Sequence, residues 1–245
     1  AVRAGGEERR FLALVSHEIR TPLGGLLGFL ELLQKTELSE QQRQYLSPMQ
    51  AAAELLKHVI NDVLDYSKLQ EGKITICYVL GSIHGIVRNT VEIFRAAAES
   101  KGLTIGLQIS DRVPQQLRVD PHRIQQMLCN LVSNAIKFTS SGSITVKALI
   151  SSSSLGAAMV RLDVVDTGIG MPEGVKGRMF NAFSQADESI SGKYGGTGLG
   201  LSIVKSFATL MGGSVGFQST EGQGSNFWFT VPLLCPLEIG MPEGV

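Results

Sequence analysis

Two long segments with helical periodicity fill most of the first 69 residues of this 245-residue chain. At steps of about 100° per residue, the apolar side chains of segment 11–33 gather in one stripe, and segment 40–69 has an apolar face of its own. Two helices packed only on each other cannot bury two such faces. We therefore predict a helical hairpin over residues 1–72 that pairs with a second copy in a four-helix bundle, so that the protein is a homodimer.

The positions expected in these two apolar faces follow from the spacing. On the first helix they are Phe11, Val15, Ile19, Pro22, Leu26, Phe29 and Leu33, and on the second they are Tyr45, Met49, Ala52, Ala53, Leu56, Val59, Ile60, Val63 and Leu64. The break between the helices is expected at KTELSE, where Ser39 and Gln42 have the spacing of a capping box for the second helix.

His17 lies opposite the apolar stripe of the first helix, and small residues share its face. Thr21, Gly24 and Gly28 follow it in helical register. Each glycine costs about 1 kcal/mol relative to alanine inside a helix, and Pro22 removes a hydrogen-bond donor and bends the helix. A solvated surface histidine is the ordinary alternative to a reactive one, and the rest of the sequence has to decide between them.

Charge and composition exclude several classes of partner. The 22 Lys and Arg residues balance the 22 Asp and Glu residues, so no net charge favours nucleic acid or an anionic membrane. No apolar run approaches the roughly 18 residues of a membrane span, and AVRAGGEERR lacks a signal-peptide core. Cys77, Cys129 and Cys235 lack metal-ligand spacing and are expected as small buried side chains in a reducing cytosol. We expect this part in the cytoplasm, which leaves open a parent protein tethered to the inner membrane through N-terminal segments missing from the chain.

After Gly72 the pattern becomes a mixture of helices and strands. It predicts an α/β sandwich over residues 73–235 and an α+β fold class for the whole chain. Helices are expected at about 82–101, 121–138 and 199–211, and strands at 103–109, 143–150, 159–166, 214–219 and 226–231. SSSSLG between two strands is expected to be a loop. IGMPEGV occurs at 169–175 and again at 239–245, and the tail 236–245 is assigned no function.

The segment HRIQQMLCNLVSNAIKFT has a polar and an apolar helical face. The polar face carries Gln126, Asn130, Asn134 and Lys137, and the apolar face carries Ile124, Met127, Leu128, Leu131, Ala135 and Ile136. A solvated face is the simple explanation, although asparagine competes with the helical backbone. The alternative is that the side-chain carbonyl oxygens of the asparagines bind a magnesium ion that bridges phosphates, with the lysine beside them.

Two further segments fit a nucleotide. In RLDVVDTGIGMP, Asp166 ends an apolar strand, where its carboxylate can accept from an exocyclic amine such as adenine N6. Gly168 and Gly170 would let a flat ring approach the backbone, and a plain tight turn explains them equally well. KYGGTGLGLSIVKSF is a glycine-rich loop that opens into a helix, whose free N–H groups suit a polyphosphate. It lacks the spacing of a dinucleotide fingerprint, and NAFSQADESISGKY before it is typical of a mobile lid.

These motifs together resemble the catalytic core of sensor histidine kinases over residues 8 to 233. HEIRTP looks like the phosphoacceptor box, NLVSNAIKFT the asparagine box, DTGIG the first glycine box, MFNAFSQAD the phenylalanine box and GGTGLGL the second glycine box. The residues FSQAD and KFT are most similar to those of kinases of the hybrid type, in which a receiver domain follows the catalytic core in the same polypeptide. The resemblance implies a dimerisation and phosphotransfer hairpin followed by an ATP-binding domain of the Bergerat fold.

The resemblance also implies roles for individual residues. His17 would accept the phosphoryl group from ATP and pass it to a receiver aspartate in a two-component phosphorelay, Glu18 would be the adjacent base or hydrogen-bond partner, and Thr21 would belong to a Glu-x-x-Thr pattern associated with dephosphorylating the receiver. Asn134 would hold Mg²⁺ with help from Asn130, Lys137 would contact phosphate, and Asp166 would bind adenine. The remaining nucleotide-site residues would be Gly168, Gly170, Lys193, Gly196, Thr197, Gly198, Leu199 and Gly200.

One position departs from the family pattern. Gly192 stands where an arginine usually precedes the Lys-Tyr of the lid, so Lys193 or Arg178 would have to supply positive charge near the phosphates. Two alternatives follow from the fold and from this departure. Bergerat ATPases also clamp or remodel partners, which the HEIRTP hairpin argues against. A degenerate kinase acting as a heterodimerising regulatory module is argued against by the intact asparagine and glycine boxes, and Gly192 keeps it open.

Overall fold

The computed structural model describes residues 19, 21–154, 157–182 and 198–235, apart from the side chains at 47, 51, 54, 55, 58, 154, 175 and 176. By the clustering of its contacts the chain divides into two compact units, Ala1–Ile74 and Thr75–Val245. Within the described residues, the helices are too short or too polar to span a membrane.

The first unit is a helical hairpin. Helix α1 covers residues 21–34 and helix α2 covers Glu40–Gln70. The predicted capping box is confirmed, because the backbone N–H of Gln42 donates to Ser39 Oγ at 3.3 Å and the N–H of Ser39 donates to Gln42 Oε1 at 2.8 Å. Gly72, with a φ of 63°, follows the C-terminus of α2 and takes the left-handed conformation that ends many helices.

The apolar stripe predicted for α1 is not the one that packs inside the hairpin. The buried side chains are Leu23, Leu27 and Leu30 of α1 and Leu46, Ala53, Ile60 and Leu64 of α2. In contrast, Ile19, Leu26, Phe29 and Leu33 of the predicted stripe are exposed, as are Tyr45, Met49 and Leu56 of α2. The apolar surface of α1 is wider than one stripe, so periodicity alone does not show which sector faces α2.

Within its described residues, the second unit contains a seven-stranded mixed sheet, three α-helices and one 3-10 helix, Glu173–Arg178. The strands are β1 (Val79–Gly81), β2 (Leu103–Ile109), β3 (Leu117–Val119), β4 (Gly142–Ser154), β5 (Ala157–Asp166), β6 (Ser214–Thr220) and β7 (Gly224–Leu234), and the helices are α3 (Ile83–Ser100), α4 (Pro121–Phe138) and α5 (Gly200–Leu210). The sheet order is β1-β3-β7-β5-β4-β2, and β6 pairs with β7. Strands β2 and β4 run parallel, and the other pairs are antiparallel. This is the predicted α+β class with a mixed sheet.

Strand alternation places the core on one face of this sheet. The central strands bury every second residue, including Val146, Leu162 and Val231, against the apolar faces of the helices. Helix α4 lies between α3 and α5 and contacts both. This arrangement fixes the position of α4 against the end of β5, where the candidate site lies.

Two sequence expectations need correction, and two strands were missed. The three-residue strands β1 and β3 were not predicted, because they are strands through pairing with a neighbouring strand and have no local pattern of their own. The serine segment is not simply a loop, since Ser152, Ser153 and Ser154 pair with β5 beyond a bulge. Cys77 is exposed rather than buried. Cys129 is half-buried, and its burial raises the pKa of the thiol to about 11.

Candidate functional site

One cavity of the second unit lies between the end of α4, the end of β5 and the segment that follows β5. It is lined by Leu131, Asn134, Ala135, Phe138, Val164, Asp166, Ile169, Gly170, Met171, Pro172, Met179, Leu201, Ser225 and Phe227. Asn134, Asp166 and Gly170 come from two separate motifs of the sequence, and the fold brings them to the same cavity. The cavity is mostly apolar with a few polar groups, as expected for a pocket that binds a flat ring.

Asp166 is the polar group at the end of β5. Its side chain is only 7% exposed, and its Oδ1 accepts a hydrogen bond of 2.8 Å from the backbone N–H of Gly168. Burial raises the pKa of the carboxyl, while hydrogen bonds from the backbone of Gly168 and Ser225 act in the opposite direction. The structure therefore places a desolvated hydrogen-bond acceptor at an apolar cavity.

The glycines after Asp166 are required by the protein's own packing. A Cβ atom on Gly168 would lie 2.9 Å from Thr139 Oγ1, and a Cβ on Gly170 would overlap the carbonyl oxygen of Thr220. Gly170 also has a φ of 61°, which side chains rarely tolerate. Packing against Thr139 and Thr220 is therefore one reason for glycine at these two positions, and the close approach of a ring stays a prediction.

The polar face of α4 has the predicted arrangement. Its four residues, Gln126, Asn130, Asn134 and Lys137, are half-buried, and the six residues of the apolar face are buried. Asn130 Nδ2 donates to the carbonyl oxygen of Gly200 at 3.5 Å, which links α4 to the first residue of α5. Burial lowers the pKa of the Lys137 ammonium, whose Nζ lies 4.9 Å from the centroid of the Phe138 ring.

The start of α5 has features of an anion site. Gly198 has a φ of 68°, Leu199 is buried, and α5 begins at Gly200. No side chain of the described residues caps this end of α5, and the N-terminus of a helix favours an anion. The contact between Asn130 and Gly200 puts this end next to the polar face of α4.

Two family models match the chain. Residues 7–72 match the His Kinase A (phospho-acceptor) domain, and residues 119–234 match the histidine kinase-, DNA gyrase B-, and HSP90-like ATPase. The chain belongs to the sensor histidine kinases. Its second unit is the ATP-binding domain of that family.

Individual relatives of this histidine kinase agree with the family models. The sensor protein GacS of Pseudomonas syringae pv. syringae is 43% identical over 95% of the chain, which spans 26% of that relative. The signal transduction histidine-protein kinase BarA of Escherichia coli K12 is also 43% identical over 95% of the chain, which spans 25% of it. The crystal structure of full-length ShkA in complex with AMPPNP matches 93% of the chain and 46% of ShkA, with 36% identity and a TM-score of 0.72. The chain thus spans about a quarter of the length of GacS and BarA.

Several predicted residues of the histidine kinase lie outside the described residues. They are His17, Glu18, Lys193, Gly196 and Thr197, together with Phe11, Val15, Gly192, most of the predicted lid NAFSQADESISGKY and the second IGMPEGV copy. Thr21 is described and is exposed on α1, as are Gly24 and Gly25 after it. No described atom outside the helix's own backbone lies within 4 Å of a Cβ placed on Gly24 or Gly28. The small-residue face predicted beside His17 is therefore open within the described hairpin.

Most of the apolar cavity wall of this kinase was not predicted from its sequence. Leu131 was assigned to the helix core, and Met171, Met179, Ser225 and Phe227 were not singled out as site residues. Phe180, Phe217 and Phe227 form an aromatic cluster beside the cavity, with ring centroids of Phe217 and Phe227 at 5.4 Å. The phenylalanine box carries Met179 and Phe180, and RLDVVDTGIGMP carries Met171, so these two motifs were the available signals for this wall.

Proposed function

We propose that this chain is the autophosphorylating core of a two-component phosphorelay. It takes a phosphoryl group from ATP onto His17 and passes it to the aspartate of a response-regulator receiver domain, in the same polypeptide or in a separate one. The observation that carries the proposal is that the buried Asp166 and the half-buried Asn134 line the same cavity in the ATPase domain. Relatives named as histidine kinases, with matches over 95% of the chain, support it.

Adenine recognition is assigned to Asp166. Its carboxylate accepts from the backbone N–H of Gly168, and in the proposed complex it also accepts from the amine at adenine C6. Phe138, Ile169 and Met179 provide apolar surface in the same cavity for the faces of the ring. A base that cannot donate to this buried acceptor should bind much more weakly, because the acceptor would then be left without a hydrogen bond from the ligand.

Phosphate binding is assigned to the polar face of α4 and the glycine-rich segment before α5. Lys137 would contact phosphate, and Lys193, Gly196, Thr197, Gly198, Leu199 and Gly200 would enclose the polyphosphate. The uncapped start of α5 and its contact with Asn130 support this placement. Phosphate would also favour the charged form of Lys137, whose pKa burial lowers in the free protein.

The donor set fits Mg²⁺. Asn134 offers an amide oxygen, a hard ligand that suits this ion, and Asn130 lies one turn before it on the half-buried face. Among the described residues there is no group of three or more His, Cys, Asp or Glu side chains placed to hold a metal ion. In the proposed complex, phosphate oxygens and water would complete the coordination of the ion. When bound, Mg²⁺ would neutralise charge on the transferring phosphoryl group.

The chemistry at His17 is mostly positioning. An imidazole nitrogen of His17 must be unprotonated and in line with the γ-phosphate, and Glu18 would hold the required tautomer through the other nitrogen. Thr21, exposed one turn further along α1, would orient water for attack on the phosphorylated receiver aspartate. The alternative is a structural role, in which the hydroxyl of Thr21 donates to a backbone carbonyl of its own helix just before Pro22.

A homodimer is part of the proposal. The hairpin exposes large apolar side chains that its own core does not use, among them Phe29 at 68% and Tyr45 at 61%. A second hairpin would cover them in a four-helix bundle. The match to the phospho-acceptor domain supports this pairing.

The deciding experiment measures acid-labile phosphate on the purified protein after incubation with Mg-ATP. We expect label on the wild-type chain, loss of label in His17→Gln with nucleotide affinity retained, and normal label in His122→Gln, which changes an exposed histidine at the start of α4. Label that persists in His17→Gln would refute the phosphoacceptor assignment. Nucleotide binding without any label on the wild type would favour the degenerate regulatory module.

A further inference from the structure

Thr139 has a buried hydroxyl that the fold does not use. The residue follows the last residue of α4, is fully buried, and its Oγ1 has no hydrogen-bond partner within the described structure. Its backbone N–H is satisfied, because it donates to the carbonyl oxygen of Ala135 at 3.0 Å. Buried hydroxyls nearly always have a partner, so this unpaired hydroxyl needs a reason.

The hydroxyl lies beside the carboxylate assigned to adenine. A Cβ placed on Gly168 would be 2.8 Å from Asp166 Oδ1 and 2.9 Å from Thr139 Oγ1, so both oxygens flank the same side of Gly168. Gly168 in turn donates its backbone N–H to Asp166 Oδ1. The unpaired donor and the buried acceptor therefore share one small space that a side chain on Gly168 would fill.

Nucleotide binding changes what Asp166 needs. A purine in the cavity shields the carboxylate from the remaining water, and an ionised carboxylate that loses water requires donors from the protein. A threonine hydroxyl can rotate to supply one, directly or through one bridging water. Among the buried side-chain polar atoms of the described residues, Thr139 Oγ1 is the unpaired donor next to Asp166.

We propose that Thr139 is a positioning residue for adenine recognition: its hydroxyl donates to the Asp166 carboxylate in the nucleotide complex and holds the carboxylate toward the amine at adenine C6. This inference rests on the proposed role of Asp166 in adenine binding. It adds a specificity determinant from the end of α4 to a site whose acceptor comes from β5.

The test compares ADP with IDP, in which an oxygen replaces the amine at C6, by calorimetry on the full chain. We expect Thr139→Val to weaken ADP binding about tenfold, the effect of one hydrogen bond to a charged group, and to change IDP binding less than about twofold. Thr139→Ser should keep the wild-type preference. The matched control is Thr90→Val, which removes another fully buried hydroxyl that already donates to the carbonyl oxygen of Ile86 at 2.9 Å.

Thermal unfolding of the free protein gives a second readout. Because Thr139 Oγ1 has no partner there, Thr139→Val should not lower the melting temperature, whereas Thr90→Val should lower it. An unchanged ADP/IDP ratio in Thr139→Val, or an equal loss for both nucleotides, would overturn the proposal and leave Thr139 as a packing residue. If the valine variant does not fold, Thr139→Ala against Thr139→Ser makes the same comparison.

Asp166→Asn separates this inference from the proposed function. If Asp166→Asn keeps the wild-type preference for ADP, the adenine assignment itself is wrong. If Asp166→Asn loses that preference and Thr139→Val keeps it, only the role of Thr139 is wrong.

Discussion

The backbone N–H of Ile169 donates to the carbonyl oxygen of Phe138 at 3.2 Å, which joins the loop after β5 to the last residue of α4. A helix leaves its last carbonyl groups without helical partners, and this bond uses one of them. Lys101 Nζ uses another, since it donates to the carbonyl oxygen of Ile136 at 2.8 Å. The motif that carries Asp166 and the motif that carries Asn134 are therefore anchored to one helix end and keep a fixed relation.

The buried carboxyl of Asp166 should make ADP affinity depend on pH. Burial raises its pKa above the ordinary value of 3.8. In the proposed complex the amine of adenine binds the ionised carboxylate more strongly than the neutral acid, because hydrogen bonds to a charged acceptor are stronger. As the pH falls, ADP binding should begin to weaken at a higher pH than it would if the carboxyl belonged to an exposed aspartate. Affinity measured against pH for the wild type and for Asp166→Asn tests this, since phosphate protonation affects both proteins equally. Parallel curves for the two proteins would contradict it.

The same raised pKa has a consequence for stability. A carboxyl whose pKa is higher in the folded than in the unfolded chain lowers the free energy of unfolding above the folded pKa, and this penalty disappears below the unfolded pKa. Asp166→Asn should therefore melt no lower than the wild type at neutral pH. Its advantage should shrink as the solution is acidified below the folded pKa, which thermal unfolding at several pH values would measure.

Gly170→Ala should destabilise the second unit strongly. The left-handed backbone alone costs a non-glycine residue about 1–3 kcal/mol, and the new methyl would also overlap the carbonyl oxygen of Thr220. The control is Gly174→Ala, four residues on, where no described atom apart from the adjoining chain lies within 4 Å of the added Cβ. Denaturant unfolding should give a control within about 0.5 kcal/mol of the wild type. Equal stability of the two variants would mean that the loop is packed differently.

Arg161 should stabilise the fold through the buried Asp163. Its guanidinium contacts Asp163 Oδ1 at 2.6 Å and lies 4.1 Å from the centroid of the Trp228 ring, while Asp163 is only 3% exposed. Arg161→Met should lower the free energy of unfolding by about 3 kcal/mol, because it leaves a buried carboxylate without its charged partner. Arg95→Met removes a similar contact to Glu92 on an exposed helix surface and should have no measurable effect.

Phe29→Glu should separate the proposed dimer. It places a charge in the exposed apolar surface of α1 and leaves the buried leucines of the hairpin untouched. Light scattering at micromolar concentration should give the mass of a dimer for the wild type and of a monomer for the variant. Ile93→Glu is the control, since Ile93 is 58% exposed on α3 outside the hairpin. A wild-type monomer, or a variant that remains dimeric, would contradict the four-helix bundle.

Short-range patterns predicted those parts of the fold that depend on neighbouring residues. Helix α4 and strand β2 have the predicted bounds, and the capping box at Ser39 is present, because periodicity, caps and turn residues act within a few positions. The polar face of α4 was predicted for the same reason. The strands β1 and β3 were missed, since three residues carry too little pattern and their pairing partners lie elsewhere in the chain.

The sequence alone predicted the order of the motifs and the polar residues of the candidate site. It could do so because the period of a helix or a strand places side chains on one face whatever surrounds that element. The choice of the α1 sector that packs on α2, the apolar wall of the cavity, and the unpaired hydroxyl of Thr139 beside Asp166 came from the folded chain. Each depends on which surfaces meet across long stretches of sequence. Which surfaces meet depends on the volume and the direction of every neighbouring side chain in a close-packed interior. The local periodicity of the sequence does not encode these two properties.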